Sequence, residues 1–153
     1  MKKNKIYSIC AGVLIIDQLV KLLIQNNMEL MQEIKIIPNF FSLLYVENQG
    51  AAFGIFYGAT IPLIVISLGV FFFLTKYIDK TKNISKLSGI ALGMVMGGIV
   101  GNLIDRILYR IVIDYLQFMI GNYNFAIFNI ADAAIVVGTG LLIIDIFLKK
   151  ESE

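Results

Sequence analysis

The chain has no histidine and a single cysteine, Cys10, among its 153 residues. Without histidine there is no Ser-His-Asp or Cys-His nucleophilic machinery and no HExxH zinc site. One cysteine excludes an intramolecular disulfide. Cys10 lies in an apolar stretch near the chain start, which suits a small buried hydrophobe and argues against a thiolate mechanism or a thiolate metal site. No metal and no cofactor is expected. Charge is scarce as well: 16% of residues are charged, where a soluble domain of this size carries about a quarter. The net charge of +2 gathers no basic face interleaved with aromatics, so no nucleic-acid partner is expected. There is no Pro-rich linker, internal repeat or low-complexity tract.

What is abundant is apolar sequence, 58% of the chain, gathered into the blocks Ile6–Ile24, Ile61–Ile78, Gly89–Ile104 and Phe125–Leu148. A hydrocarbon core of roughly 30 Å takes about 20 helical residues, so each block can span it, the third with its flanks included. The expected fold is an all-α membrane protein of one integral domain over residues 1–153, with transmembrane helices at about 6–24, 61–78, 87–106 and 125–148. Lys2, Lys3 and Lys5 precede the first block, Lys76, Lys80, Lys82 and Lys86 surround the link between the second and third, and Lys149 and Lys150 follow the fourth. If all four blocks cross, these nine of the thirteen basic residues fall on one side. By the positive-inside bias that side, with both termini, is cytoplasmic. Residues 1–16 begin like a secretory signal, yet no small-x-small site follows and Asp17, Gln18 and Lys21 interrupt the run. A retained first helix is expected.

Two connections then face outward. The first, about residues 25–60, is too long for a structureless loop. Its "FFSLLYVEN" is rich in aromatic and β-favouring residues between Pro38-Asn39 and Asn48-Gln49-Gly50, which predicts a strand in a small extracytoplasmic sheet. "GAAFGIFYGA" mixes small and aromatic residues and suits an interfacial segment, with Tyr45, Phe53, Phe56 and Tyr57 in an aromatic belt. The second outer connection is Leu108–Asn124.

The polar residues of the spans converge in depth. Asp17 and Lys21 share a face in the outer half of the first helix at i, i+4. Asn102, Asp105 and Arg106 sit near the outer end of the third, and Asn129 and Asp132 in the outer third of the fourth. Asn48 and Asp114 belong to the outer connections. A charge at the bilayer centre costs about 2.5–3.5 kcal/mol on insertion scales, so many polar groups at one level imply a polar cavity.

Structural roles compete for each residue. Asn129 is a candidate N-cap, with Asp132 favourable near the positive end of the helix. Asp105–Arg106 can be an interfacial ion pair that anchors a helix end, and Asp17–Lys21 a structural pair whose lysine snorkels outward. Asp145, near the inner end of the fourth helix, reads as interfacial. The small residues of "GMVMGGIVG", 93–101, predict tight helix packing.

Carboxylates are what remain for chemistry. Two held close share one proton, because both cannot ionise cheaply; the ionised one can then activate water while the other binds a carbonyl. Asp105 and Asp114 are about half a turn out of phase on a continuous helix. Asp114, in an outer connection, and Asp132, at a helix end, are better placed to meet.

Five blocks resemble the lipoprotein signal peptidases (signal peptidase II), in the order of that family: "DQLVK" 17–21, "NQGAAFG" 48–54, "GGIVGNLIDR" 97–106, "VIDY" 112–115 and "FNIAD" 128–132. The resemblance covers nearly the whole chain. It implies an aspartic endopeptidase of the bacterial cytoplasmic membrane that cuts the signal peptide from prolipoproteins on the amino side of a diacylglyceryl-modified cysteine. Carried over by motif, Asp114 and Asp132 are the catalytic dyad, and Asp17, Lys21, Asn48, Asn102, Asp105, Arg106 and Asn129 bind substrate or shape the site. The expected partners are the lipidated precursor and membrane lipids, with the protein a monomer and the site near the outer surface. The rival readings are an ion- or proton-coupled transporter using intramembrane carboxylates and a non-catalytic scaffold. Clustering at one surface instead of the midplane weighs against transport. A presenilin-like protease would share the chemistry, but its G-x-G-D pattern is absent.

Overall fold

The computed structural model describes residues 1–50, 58–121 and 123–150. The interfacial segment expected at "GAAFGIFYGA", with Phe53, Phe56 and Tyr57, lies almost wholly outside the described residues. Among the described residues four helices are long and apolar enough to cross a membrane: α1 (Lys3–Asn27), α2 (Thr60–Lys80), α3 (Lys86–Tyr109) and α4 (Ile130–Lys150). Between α1 and α2 run β1 (Glu33–Ile37) and β2 (Phe41–Asn48); between α3 and α4 run β3 (Val112–Ile120) and the two-residue β4 (Tyr123–Asn124).

α3 is the buried axis of the bundle, packed against α1, α4 and α2, while α2 buries little beyond Ile78. Without a strong hydrophobic drive in lipid, helices associate through close van der Waals contact, and small residues permit it. A Cβ at Gly97 would lie 2.7 Å from the Cys10 carbonyl oxygen, so the α1 and α3 backbones meet there as the small-residue run predicts. On the α4 side, a Cβ at Gly98 would collide with the carbonyl of Ala131. At the end of the bundle nearest the chain start, Ile6, Ile78, Ile84, Leu92 and Met96 close into one apolar cluster, with Cys10 packed at its edge. Asp145 is buried beside that cluster instead of interfacial, and accepts hydrogen bonds from the hydroxyls of Ser85 (2.7 Å) and Ser88. Ser85 also caps α3, its Oγ accepting from the Ser88 N–H at 2.9 Å.

The sheet sits at the opposite end. β1, β2 and β3 pair antiparallel in that order, and β4 turns back on the end of β3. The nine-residue β3 occupies the second outer connection. α3 ends on Arg110, which takes a left-handed conformation with φ 64°, and the chain enters β3 two residues later. Ile24 and Met28 of α1 pack with Tyr45 of β2 and with Ile113 and Tyr115 of β3, fixing the sheet over the bundle. The apolar residues from Phe125 do not extend α4: this segment runs beside β3, with Phe128 bridged to Leu116, and the helix begins at Ile130.

Candidate active site

The site is built on the first turn of α4. A helix start leaves backbone N–H groups without intrahelical partners, and here side chains from three elements take them. Asn129 precedes the helix; its Oδ1 accepts from the Asp132 N–H at 2.9 Å, and its own N–H donates to Asp132 Oδ2 at 3.3 Å. This reciprocal exchange is a capping box with Asn and Asp in its two positions. The Ala131 N–H donates to Asp17 Oδ1 of α1 at 2.9 Å, and the Ile130 N–H to the hydroxyl of Tyr115 at 3.4 Å. Capping by Asn129 is therefore present, together with a second task. Its Nδ2 donates to Asp114 Oδ1 at 2.7 Å and to Asn102 Oδ1 at 3.1 Å. One buried amide thus touches both Asp114 and Asp132.

Each carboxylate is held from a second side. Asn48 Nδ2 donates to Asp114 Oδ2 at 2.9 Å, and Asn102 Nδ2 donates to Asp132 Oδ1 at 2.7 Å. Asn48 is itself oriented by the Gly50 N–H, which donates to its Oδ1 at 2.8 Å. Asp114 and Asp132 both line a cavity of about 510 Å³, with Asn48 and Arg106 as its other polar walls. The remainder is apolar: Val112, the Phe125–Phe128 segment, and Ala133, Ile135, Val136 and Val137 of α4. Asp114, on β3 and buried, is pushed up to about 7, first by burial and then by the charge of Asp132; hydrogen bonds from Asn48 and Asn129 oppose the rise. Its neighbour Tyr115 is also raised, mainly by burial.

The other two acids share one buried lysine away from the cavity. Lys21 is buried, its Nζ 2.8 Å from Asp17 and 2.7 Å from Asp105, and it donates to Asn102 Oδ1 at 3.0 Å. The expected Asp17–Lys21 pair exists, but the lysine does not snorkel. Asp105 pairs with Lys21 across the α1–α3 contact and not with its sequence neighbour Arg106, because successive helix residues do not face each other. Arg106 points to the cavity, where its Nη2 donates to the Gly50 carbonyl at 3.1 Å. Asp105 also accepts from the Ile113 N–H at 3.3 Å, which ties the start of β3 to α3.

All nine residues singled out in the sequence therefore meet in one network, and two were missed. Gln18 Nε2 donates to Asp105 Oδ1 at 2.9 Å and to the Gly101 carbonyl at 3.2 Å; its place between Asp17 and Lys21, in an otherwise apolar run, was the available signal. Tyr115 carried no such signal, since its aromatic ring suits any buried strand.

Among the described residues no group of acids and cysteines is arranged to hold a metal ion. Four buried or half-buried acids against two bases leave Asp114 and Asp132 as the carboxylates with access to open space. Both carboxyl groups border the same open space, the arrangement two acids need to act on one bound group.

Comparison with known proteins agrees over the whole length. Lipoprotein signal peptidases are 39% identical to this chain in Clostridium acetobutylicum, over 97% of both chains, and 40% identical in Bacillus subtilis, over 96% of this chain and 97% of that one. That of Bacillus pumilus is 42% identical over 96% and 97%. A bacterial membrane enzyme solved by the in meso method at 2.3 Å resolution superposes with a TM-score of 0.91 at 29% identity, covering 98% of this chain and 92% of that one. A second, at 1.9 Å, gives 0.84 at 31% identity over 94% and 92%. The family model described as signal peptidase (SPase) II matches residues 9–148, from the first span to the end of the last, and the chain belongs to that family.

Proposed function

We propose that the protein is an aspartic endopeptidase that removes signal peptides from diacylglyceryl-modified prolipoproteins, with Asp114 and Asp132 as its dyad. The observation that carries this reading is the double engagement of Asn129, which bonds Asp114 through Nδ2 and Asp132 through Oδ1 and its N–H, on the wall of one cavity. Two carboxyls held this way favour a state with one proton between them. Asp114, raised to about 7, still carries that proton in about half of the molecules at neutral pH, and Asp132 is the base.

Asp132 takes a proton from a water molecule, whose oxygen attacks the scissile carbonyl carbon while Asp114 donates its proton toward the carbonyl oxygen. The resulting tetrahedral diol collapses as Asp114 takes back a hydroxyl proton and Asp132 passes its own to the leaving nitrogen. The C–N bond breaks and the dyad returns to its starting protonation. Asn48, Asn102 and Asn129 orient the carboxyls, and Lys21, paired with both Asp17 and Asp105, offsets part of their charge beside the dyad. Arg106 stands on the cavity wall as the cation available to the substrate backbone.

The cavity suits a lipidated peptide. Its apolar wall continues onto the outward side of α4, where Val136 and Val137 are exposed, so acyl chains can stay in lipid while the peptide bond reaches the carboxyls. The lysine-rich ends of the helices support cytoplasmic termini and a site near the outer surface of a bacterial cytoplasmic membrane, in a protein acting as a monomer. Transport finds no support, since the polar groups gather at one end.

The test is incubation of the purified protein with a diacylglyceryl-modified precursor and with the same precursor unlipidated. Cleavage of the first alone is expected. Asp114→Asn and Asp132→Asn should each abolish cleavage while keeping helical content, and turnover by either variant would refute the dyad.

A further inference from the structure

An opening at the other end of the bundle lies away from Asp114 and Asp132. It is a cavity of about 660 Å³ where the start of α1 meets the link between α2 and α3, and its walls include Lys2, Lys3 and Lys82 with the polar groups of Thr81, Asn83 and Ser85. Lys3 is engaged, 3.6 Å from Asp79 and donating to the Asp79 carbonyl at 2.8 Å. No ion pair among the described residues involves Lys2 or Lys82. Asp145, the other acid nearby, is turned inward onto Ser85 and Ser88. Among the described residues the rim therefore carries three lysines against one exposed acid, Asp79. The cavity lies next to the cluster of Ile6, Ile78 and Ile84, where α1 starts and α2 ends, and the end of an apolar span is where a bilayer presents its headgroups.

We propose that this cavity is a binding site for a phosphate-bearing anion, the headgroup of an anionic phospholipid. Lys2 and Lys82 supply charge to the phosphodiester, the Asn83 amide supplies hydrogen bonds, and the acyl chains run down beside the bundle. A lysine near the membrane surface contributes enough that its loss weakens binding about fivefold, and loss of two about 25-fold.

The test is native mass spectrometry of the full chain from neutral detergent, titrated with phosphatidylglycerol or phosphatidylcholine. Selective retention of phosphatidylglycerol is expected. The Lys2→Gln, Lys82→Gln double variant should weaken it about 25-fold, while Lys35→Gln, removing an exposed lysine from β1, should leave it unchanged. Equal retention of phosphatidylcholine, an unaffected double variant or an equal effect of Lys35→Gln would overturn the site. Displacement of the lipid by inorganic phosphate would overturn the lipid assignment in favour of a free-phosphate site. Lys2 and Lys82 are exposed, so matching thermal unfolding curves establish that the double variant is folded.

Discussion

Replacing Asp114 by Asn should make the protein inactive and, above neutral pH, more stable. The Asp114 carboxyl rises from 3.8 to about 7 on folding, so the folded chain keeps a proton there that the unfolded chain gives up. Its contribution to stability is fully present below the unfolded value and is lost as pH rises to the folded one. The loss is about 3 pH units at about 1.4 kcal/mol each, or about 4 kcal/mol above pH 7. Asn carries no charge to desolvate and removes this penalty. It also has one acceptor where the carboxylate presents two, to Asn129 at 2.7 Å and Asn48 at 2.9 Å, so one of those donors loses its partner at a cost of about 1–3 kcal/mol. The net gain near pH 8 is about 1–3 kcal/mol, or roughly 2–4 °C in Tm per kcal/mol for a chain of this size. Near pH 4 only the lost hydrogen bond remains and the variant is the less stable, with crossover around pH 5. Far-ultraviolet circular dichroism melts in neutral detergent from about pH 4 to pH 8 measure this directly. A variant-minus-wild-type difference that stays flat, or that falls as pH rises, would refute the reasoning.

Other replacements separate the roles of the network. Asn129→Asp keeps an acceptor for the Asp132 N–H but sets a carboxylate against Asp114 Oδ1; helical content should survive while kcat falls at least tenfold, and kcat retained within twofold would deny Asn129 its bridging part. Lys21→Met leaves Asp17 and Asp105 buried without their shared cation, for a destabilisation of about 3–5 kcal/mol, seen as a lower Tm and loss of folded protein in detergent; an unchanged melting curve would contradict it.

The helices were legible because a bilayer demands long apolar runs, and their polar residues because such groups are costly at depth and had to meet. The i, i+3 spacing of Asn129 and Asp132 already contained the capping box. The strand that carries Asp114 was harder to read. Val112, Ile113, Asp114 and Tyr115 are buried in succession, between the neighbouring strand on one side and α1 and α4 on the other, so no in-out alternation marks them. Adjacency in sequence suggested Asp105 with Arg106, whereas the rotation between neighbouring helical residues sends one to Lys21 and the other to the cavity. The start of α4 was displaced for a related reason. Phe125–Phe128 is as apolar as a helix core, but Phe128 pairs with Leu116 and stacks on Phe118 with ring centres 5.8 Å apart.

The apolar cluster at the far end of the bundle has a consequence for the cell's energy supply. Between the carboxylates and the Asp145–Ser88 group, the buried face of α3 offers only Ala91, Leu92, Val95, Met96, Ile99 and glycines. The stretch from Ser88 to Asn102 amounts to roughly 20 Å of helix. A proton exchanging with Asp114 or Asp132 finds no chain of hydrogen-bonding side chains along that path. The bundle can open Asp114, Asp132 and Arg106 to a cavity at one end, with Asp17, Lys21 and Asp105 buried beside it, and still offer no route along α3 by which a proton drawn there would run down the gradient.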